Sequence, residues 1–191
     1  MTGRVGLIWD TPLVFSRFIE ECGFECEHIS PQLLAAPFFR RSFSTLIVPA
    51  GFGNPSYSRL LPALRASTSR IRRFVEAGGN LLVYGPGLPG ENTMDWLPFP
   101  IKFVHSPGVR RIECDATNPA ASILKDYDES SMECDGYIDS PETVTVASSA
   151  GRPVLSTYLA GRGTVVVTSI HEYPSRSFIV HFCSAESETL L

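Results

Sequence analysis

The chain has 191 residues, a length that suits one domain. A hydrophobic share of 43% against a charged share of 19% is a globular balance and excludes disorder over most of the length. The formal net charge of -4 gives no electrostatic reason to expect nucleic acid, and no apolar run approaches the roughly 20 residues a membrane span needs.

The first run, "RVGLIWD" (4–10), reads as a buried strand closed by Asp10. "PLVFSRFIEECGF" then spaces Leu13, Val14, Phe18 and Cys22 at helical intervals and stops at Gly23, which completes a strand–helix unit with Thr11–Pro12 as its cap and first turn. The opening lacks the charged start and small-residue cleavage site of a secretory leader, so cytoplasmic residence is expected. "ECEHIS" reads as a polar edge strand, "QLLAAPFFRR" as a short helix or turn, and "STLIVPAGFG" as a central strand ending in glycines. A helix is expected from about Ala66 to Ala77, with Ile71, Phe74 and Val75 inward and Gly78–Gly79 as its stop. Arg70, Arg72 and Arg73 on that helix read as a solvated face rather than a phosphate site.

"NLLVYGP" is the fourth apolar strand, and four such strands alternating with helices predict a parallel sheet covered on both faces. The proline-rich crossing from 86 to 107 carries Leu88, Met94, Trp96, Leu97 and Phe99, which fit either a cover over the sheet or a homodimer patch. "IKFVHS" and "VRRIECD" read as two strands and "PAASILKDY" as a short helix. "MECDGYID" reads as a solvated loop. "TVTVASSA", "RPVLSTYLA" and "GTVVVTSI" are three strands joined by turn glycines, so hairpins are expected, with the last returning to the main sheet. "SRSFIVHFCS" is a closing helix with Phe178, Ile179 and Phe182 inward. The domain is expected over 1–184 and a loose tail over 185–191.

Five scattered cysteines, Cys22, Cys26, Cys114, Cys134 and Cys183, are an odd number and make a disulfide framework unexpected. Cys22, Cys26 and His28 straddle a helix end and a strand, without the paired spacing of a zinc site, so no metal is expected. No dinucleotide fingerprint or lysine-bearing phosphate loop occurs, and the only lysines are Lys102 and Lys125, so no nucleotide cofactor is expected either.

The order "VPAGFG", "FVEAGGN", "LLVYGPG" and "GRGTVVVTSIHE" resembles the class I glutamine amidotransferase-like superfamily over roughly residues 4–180. The likeness is to its non-glutaminase branches, the trehalose-utilisation-like and biotin–protein-ligase N-terminal-like domains. The resemblance implies an α/β fold, a three-layer α/β/α sandwich with a flavodoxin-like, mostly parallel sheet and antiparallel strands added in the second half. It also implies a pocket where strands end, and so places Asp10, Gly51, Phe52, Gly85, Gly87 and His171 together as ligand-binding candidates. In catalytic members a cysteine stands at the elbow after the fourth strand, and backbone N–H groups of the preceding glycine turn form an oxyanion hole. Here Gly85 occupies the nucleophile position and Gly51 or Phe52 the oxyanion turn. His171 fits the family's histidine, whereas Glu172 is adjacent instead of two residues on. "MECDGYID" resembles the acidic–aromatic segment that precedes the late strands in the trehalose-utilisation-like branch, which implies Glu133, Asp135 or Tyr137 near the pocket.

Two functions remain from this reading. One is a non-catalytic amidotransferase-like domain that binds a small ligand or a protein partner at the crevice where the strands end. The other is a thiol-independent hydrolase or lyase in which His171 works with Asp10, Asp135 or Glu172 as the carboxylate. A carboxylate in hydrogen-bond reach of His171 beside an open pocket favours the second, and a crevice filled by Trp96 or Tyr84 opposes it.

Overall fold

A computed structural model describes residues 3–89, 92–184 and 188–191. The elements run β1 (Arg4–Ile8), α1 (Phe15–Glu21), β2 (Glu25–Ile29), α2 (Pro31–Ala35), β3 (Ser42–Phe43), β4 (Thr45–Val48), α3 (Leu60–Ala66), α4 (Thr68–Glu76) and β5 (Asn80–Tyr84). They continue with β6 (Lys102–Arg110), β7 (Glu113–Cys114), a 3-10 turn (Pro119–Leu124), β8 (Met132–Asp139), β9 (Val144–Ser149), β10 (Arg152–Ala160), β11 (Gly163–Thr168), α5 (Arg176–Cys183) and β12 (Thr189–Leu190).

The main sheet has eight strands in the order β2-β1-β4-β5-β11-β10-β9-β7. β2, β1, β4, β5 and β11 are mutually parallel, and β10, β9 and β7 continue the sheet antiparallel. Alternate strand residues feed two cores, as the period-2 side-chain direction requires. Leu7, Ile47, Leu82 and Val166 join α1, α5 and the 3-10 turn on one face. Leu46, Leu81, Val83 and Val165 join α2, α3 and α4 on the other. The architecture is therefore a three-layer α/β/α sandwich, mostly parallel with antiparallel strands added in the second half.

Several local expectations are corrected by the packing. Helix α1 begins at Phe15 and buries Phe15 and Ile19, while Val14 points out at 75% exposure. Thr11–Pro12 therefore lies outside the helix. The expected helix is α4, and a further helix, α3, precedes it across Ser67, whose hydroxyl donates to the Leu34 carbonyl oxygen 3.0 Å away. Arg70 is not a solvated charge. Its guanidinium caps the α2 segment by donating to the carbonyl oxygens of Leu34, Ala36 and Phe39. Met94, Trp96, Leu97 and Phe99 are buried in the second core, with Phe52 and Trp96 edge to face at 5.7 Å, so these residues form no exposed dimer patch. "MECDGYID" is strand β8 rather than a loop. In the expected tail, residues 185–187 lie outside the described residues, Thr189 and Leu190 pair with β3, and Leu191 is buried. Among the described residues no helix is long and apolar enough to cross a membrane.

The feature that builds the site is the antiparallel ribbon β6–β8. It forms a separate pair that crosses the end of β11: Cys134 bridges to Ile170, Asp135 N–H donates to Ser169 O at 2.8 Å, and His171 N–H donates to Glu133 O at 3.0 Å. The ribbon thus fixes β8 across the edge where β11 and the parallel strands beside it end.

Candidate functional site

β1, β4, β5 and β11 run in parallel, so the residues that follow them meet along one edge of the sheet, the edge where open α/β sheets take ligands. Asp10, Gly51, Gly85 and His171 all follow those strands. What each does there differs from one to the next.

Asp10 is committed to structure. Its carboxylate accepts from the Ser58 hydroxyl at 2.5 Å and from Arg59 N–H at 3.0 Å, and so ties the entry of α3 to the end of β1. It does not cap α1, whose N-cap is Val14. The glycine turns after β4 and β5 are bound to each other. Gly51 N–H donates to Gly85 O at 2.9 Å, and Gly53 N–H donates to Pro86 O at 3.0 Å. Gly87, at φ +74°, passes so close that a Cβ there would lie 2.7 Å from Gly51 Cα. The Gly51 donor that an oxyanion hole would use is therefore spent on the neighbouring loop. The Phe52 side chain is fully buried against Trp96 and offers no ring to a ligand.

His171 meets Asp135. Their Nε2–Oδ1 separation is 2.6 Å, with the histidine side chain 39% exposed and the aspartate 8%. The Asp135 hydrogen bond raises the imidazole pKa above its ordinary value, against the opposing effect of burial, and the charges of Asp135, Glu133 and Glu172 add to the rise. Glu172 turns away from His171, and its Oε1 accepts from Glu133 N–H at 3.2 Å. Adjacent residues on an extended segment face opposite sides, which is why the neighbouring carboxylate does not pair with the imidazole and the distant one does.

The same aspartate accounts for Gly85. A Cβ built on residue 85 would lie 2.8 Å from Asp135 Oδ2, 3.0 Å from Asp135 Cβ and 3.0 Å from Phe103 Cζ. The space a side chain would fill is held by a carboxylate from another strand. Gly85 does not adopt a positive φ, so close approach and not backbone strain excludes larger residues.

Beside His171 opens a cleft of about 360 Å³ lined by Trp9, Leu13, Val14, Phe15, Pro49, Ala50, Tyr84, His171 and Tyr173. Tyr84 forms a wall of it without filling it, and Trp96 lies in the opposite core. Tyr173 stacks on Phe15 at 4.7 Å and 9°. Sequence reasoning missed Trp9, Phe15 and Tyr173 as lining. The available signal was that Trp9 and Tyr173 follow the ends of β1 and β11, where a parallel sheet opens. Of the acidic–aromatic segment, Asp135 reaches the site, Glu133 contributes its carbonyl oxygen and its charge, and Tyr137 is buried elsewhere beneath the guanidinium of Arg152, 3.6 Å from its ring centroid. A larger groove of about 680 Å³ opens at the opposite edge between α5 and the starts of β5 and β11. Among the described residues its titratable lining is Glu142, His181 and Tyr158.

No pair of cysteines forms a disulfide among the described residues. Burial pushes the thiols of Cys26 and Cys183 up to about 12 and that of Cys134 up to about 11. His28 Nε2 is hydrogen-bonded to Trp9 O at 2.8 Å, and the described residues contain no His/Cys/Asp/Glu group arranged to hold a metal.

No family model and no curated protein matches the chain. Solved structures do. A cold-adapted β-galactosidase from Rahnella sp. R3 is similar with a TM-score of 0.55 and 14% identity over 93% of this chain, which spans only 30% of that enzyme. A cytoplasmic protein from Salmonella typhimurium LT2 is similar with a TM-score of 0.54 and 14% identity, covering 92% of both chains. A second cytoplasmic protein from Salmonella typhimurium gives 0.53 and 12%, covering 94% of this chain and 96% of the other. At these identities the likeness shows a shared fold.

Proposed function

We propose that the chain is an amidotransferase-like domain without amidotransferase chemistry, which binds a small ligand in the cleft beside His171. The observation that carries the reading is the Asp135 carboxylate standing against Gly85, in the space where an elbow nucleophile would project. The bond from Gly51 N–H to Gly85 O supports it, because a donor already paired cannot stabilise a developing oxyanion. The cleft is of ligand size, at the lower end of the roughly 300–1,000 Å³ typical of small-molecule sites, and is walled by aromatic rings. Cytoplasmic residence belongs to the same proposal.

The test is a small-molecule fragment screen followed by NMR. Binding fragments should shift the Trp9 indole and His171 ring signals, and Ala50→Phe, which places a ring in the cleft, should abolish those shifts. Fragments that bind equally to Ala50→Phe, or that leave both signals in place, refute the assignment.

The 2.6 Å His171–Asp135 pair beside a cleft that neither Tyr84 nor Trp96 fills meets the condition set above for the second reading, acid–base hydrolysis or elimination without a thiol. Asp135 would hold Nε2 and leave Nδ1 to exchange a proton with substrate or water. Turnover of an ester, amide or glycoside panel that disappears in both His171→Ala and Asp135→Asn would establish this reading over the first.

A further inference from the structure

The cleft is aromatic and its surroundings are acidic. Trp9, Phe15, Tyr84 and Tyr173 are four of its nine lining residues, and among the described residues no lysine or arginine lines it. Around it stand Asp135 and Glu133 from β8, Glu172 beside His171, and the phenols of Tyr84 and Tyr173. His171, when protonated, balances Asp135. Glu133 and Glu172 form no ion pair among the described residues.

Two atoms, one on a residue of the cleft wall and one on a residue just outside its lining, lack the partners their burial demands. The Oε2 of Glu172 and the hydroxyl of Tyr84 are buried without a hydrogen bond. Tyr84 is 4% exposed, and Glu172 is close enough to help raise its phenol pKa, the larger cause being burial. A carboxylate oxygen removed from water is costly unless a positive charge faces it. Tryptophan and tyrosine faces attract cations through the ring quadrupole. Both features call for the same kind of ligand.

We propose that the cleft binds an organic cation, a tertiary or quaternary ammonium whose apolar substituents lie against Leu13, Val14, Pro49 and Ala50 while the charge faces Trp9, Tyr84 and Tyr173 with Glu172 behind. This rests on the reading of the cleft as a ligand site and names the ligand class. The apolar walls disfavour a bare metal ion, which needs oxygen or nitrogen donors in place of its water.

The experiment compares three ligands of one skeleton: choline, its uncharged isostere with a quaternary carbon in place of nitrogen, and the carboxylic acid of that carbon skeleton. Affinity is measured by calorimetry, and the site is read from the Trp9 indole signal. Choline should bind about tenfold more tightly than the uncharged alcohol, the ratio expected from a partly desolvated cation on aromatic faces. Glu172→Gln and Tyr173→Leu should each weaken choline several-fold, and Glu172→Gln should leave the alcohol unchanged. Thermal denaturation of each variant verifies that it is folded. If the alcohol or the acid binds at the Trp9 signal as tightly as choline, the cation is overturned while the ligand cleft stands. If none of the three moves the Trp9 signal at millimolar concentration, the cation is overturned as well, and the fragment screen alone then decides the fate of the cleft.

Discussion

Replacing Gly85 by alanine tests whether the approach of Asp135 is what requires glycine. The added methyl would meet three neighbours at 2.8, 3.0 and 3.0 Å, where ordinary van der Waals contact begins at 3.4 Å. None is the free end of a flexible chain. Asp135 is held by His171 at 2.6 Å and by its own N–H to Ser169 O at 2.8 Å, and Phe103 is buried in the second core. Inserting a methyl into such a site costs about 1–3 kcal/mol. At roughly 2–4 °C per kcal/mol for a domain of this size, the melting temperature should fall by about 2–12 °C. Urea denaturation followed by circular dichroism gives the stability, and NMR titration of His171 gives the geometry. The variant should also titrate His171 lower than wild type, because displacing the carboxylate weakens the bond that favours the imidazolium. A double-mutant cycle with Asp135→Ala, which removes Oδ2 but leaves the contacts to Asp135 Cβ and Phe103, should recover part of the loss as a coupling of about 0.5–1.5 kcal/mol. Wild-type stability and an unchanged His171 titration in Gly85→Ala would show that the glycine is only a turn residue and that Asp135 does not claim its space.

Gly85→Cys should show no ammonia release from glutamine above background, as should wild type. The thiol would be forced against Asp135, and the Gly51 donor is already bound to Gly85 O; clear turnover by either protein refutes this. The stability gap between wild type and Asp135→Asn should be larger near pH 5.5 than near pH 8.5. A folded-state pKa raised above the unfolded value of about 6.5 contributes stability that is complete below the unfolded pKa and is lost as pH rises through the folded one. Urea titrations at both pH values measure it, and a gap that widens with pH contradicts the pairing. Cys26, Cys134 and Cys183 should resist a thiol-directed reagent in the native protein at pH 8 and react on unfolding, since thiols held near 11–12 carry little thiolate. Rapid native labelling at any of the three, located by mass spectrometry, would show that its environment is not as described.

The sequence alone determined the repeating layer. "RVGLIWD", "STLIVPA", "NLLVYGP" and "GTVVVTSI" are apolar runs separated by helix-length or turn-length segments, and such runs are stable only when both their faces are covered. That placed Asp10, Gly51, Gly85 and His171 at one edge, since residues after parallel strands must emerge together. Tertiary structure alone decided what they do there. Asp135 lies 36 positions before His171 and reaches it only because the ribbon β6–β8 crosses the end of β11. That ribbon carries a register irregularity between His105 and Gly108, and its strand β8 mixes charged, aromatic and glycine residues, so its pattern gave no periodic signal. The bond from Gly51 N–H to Gly85 O and the pairing of Thr189 with Phe43 are likewise encounters between segments distant in sequence. Periodicity records which side of an element is buried. It does not record which other element buries it, and the Asp135–Gly85 contact depends on that second choice.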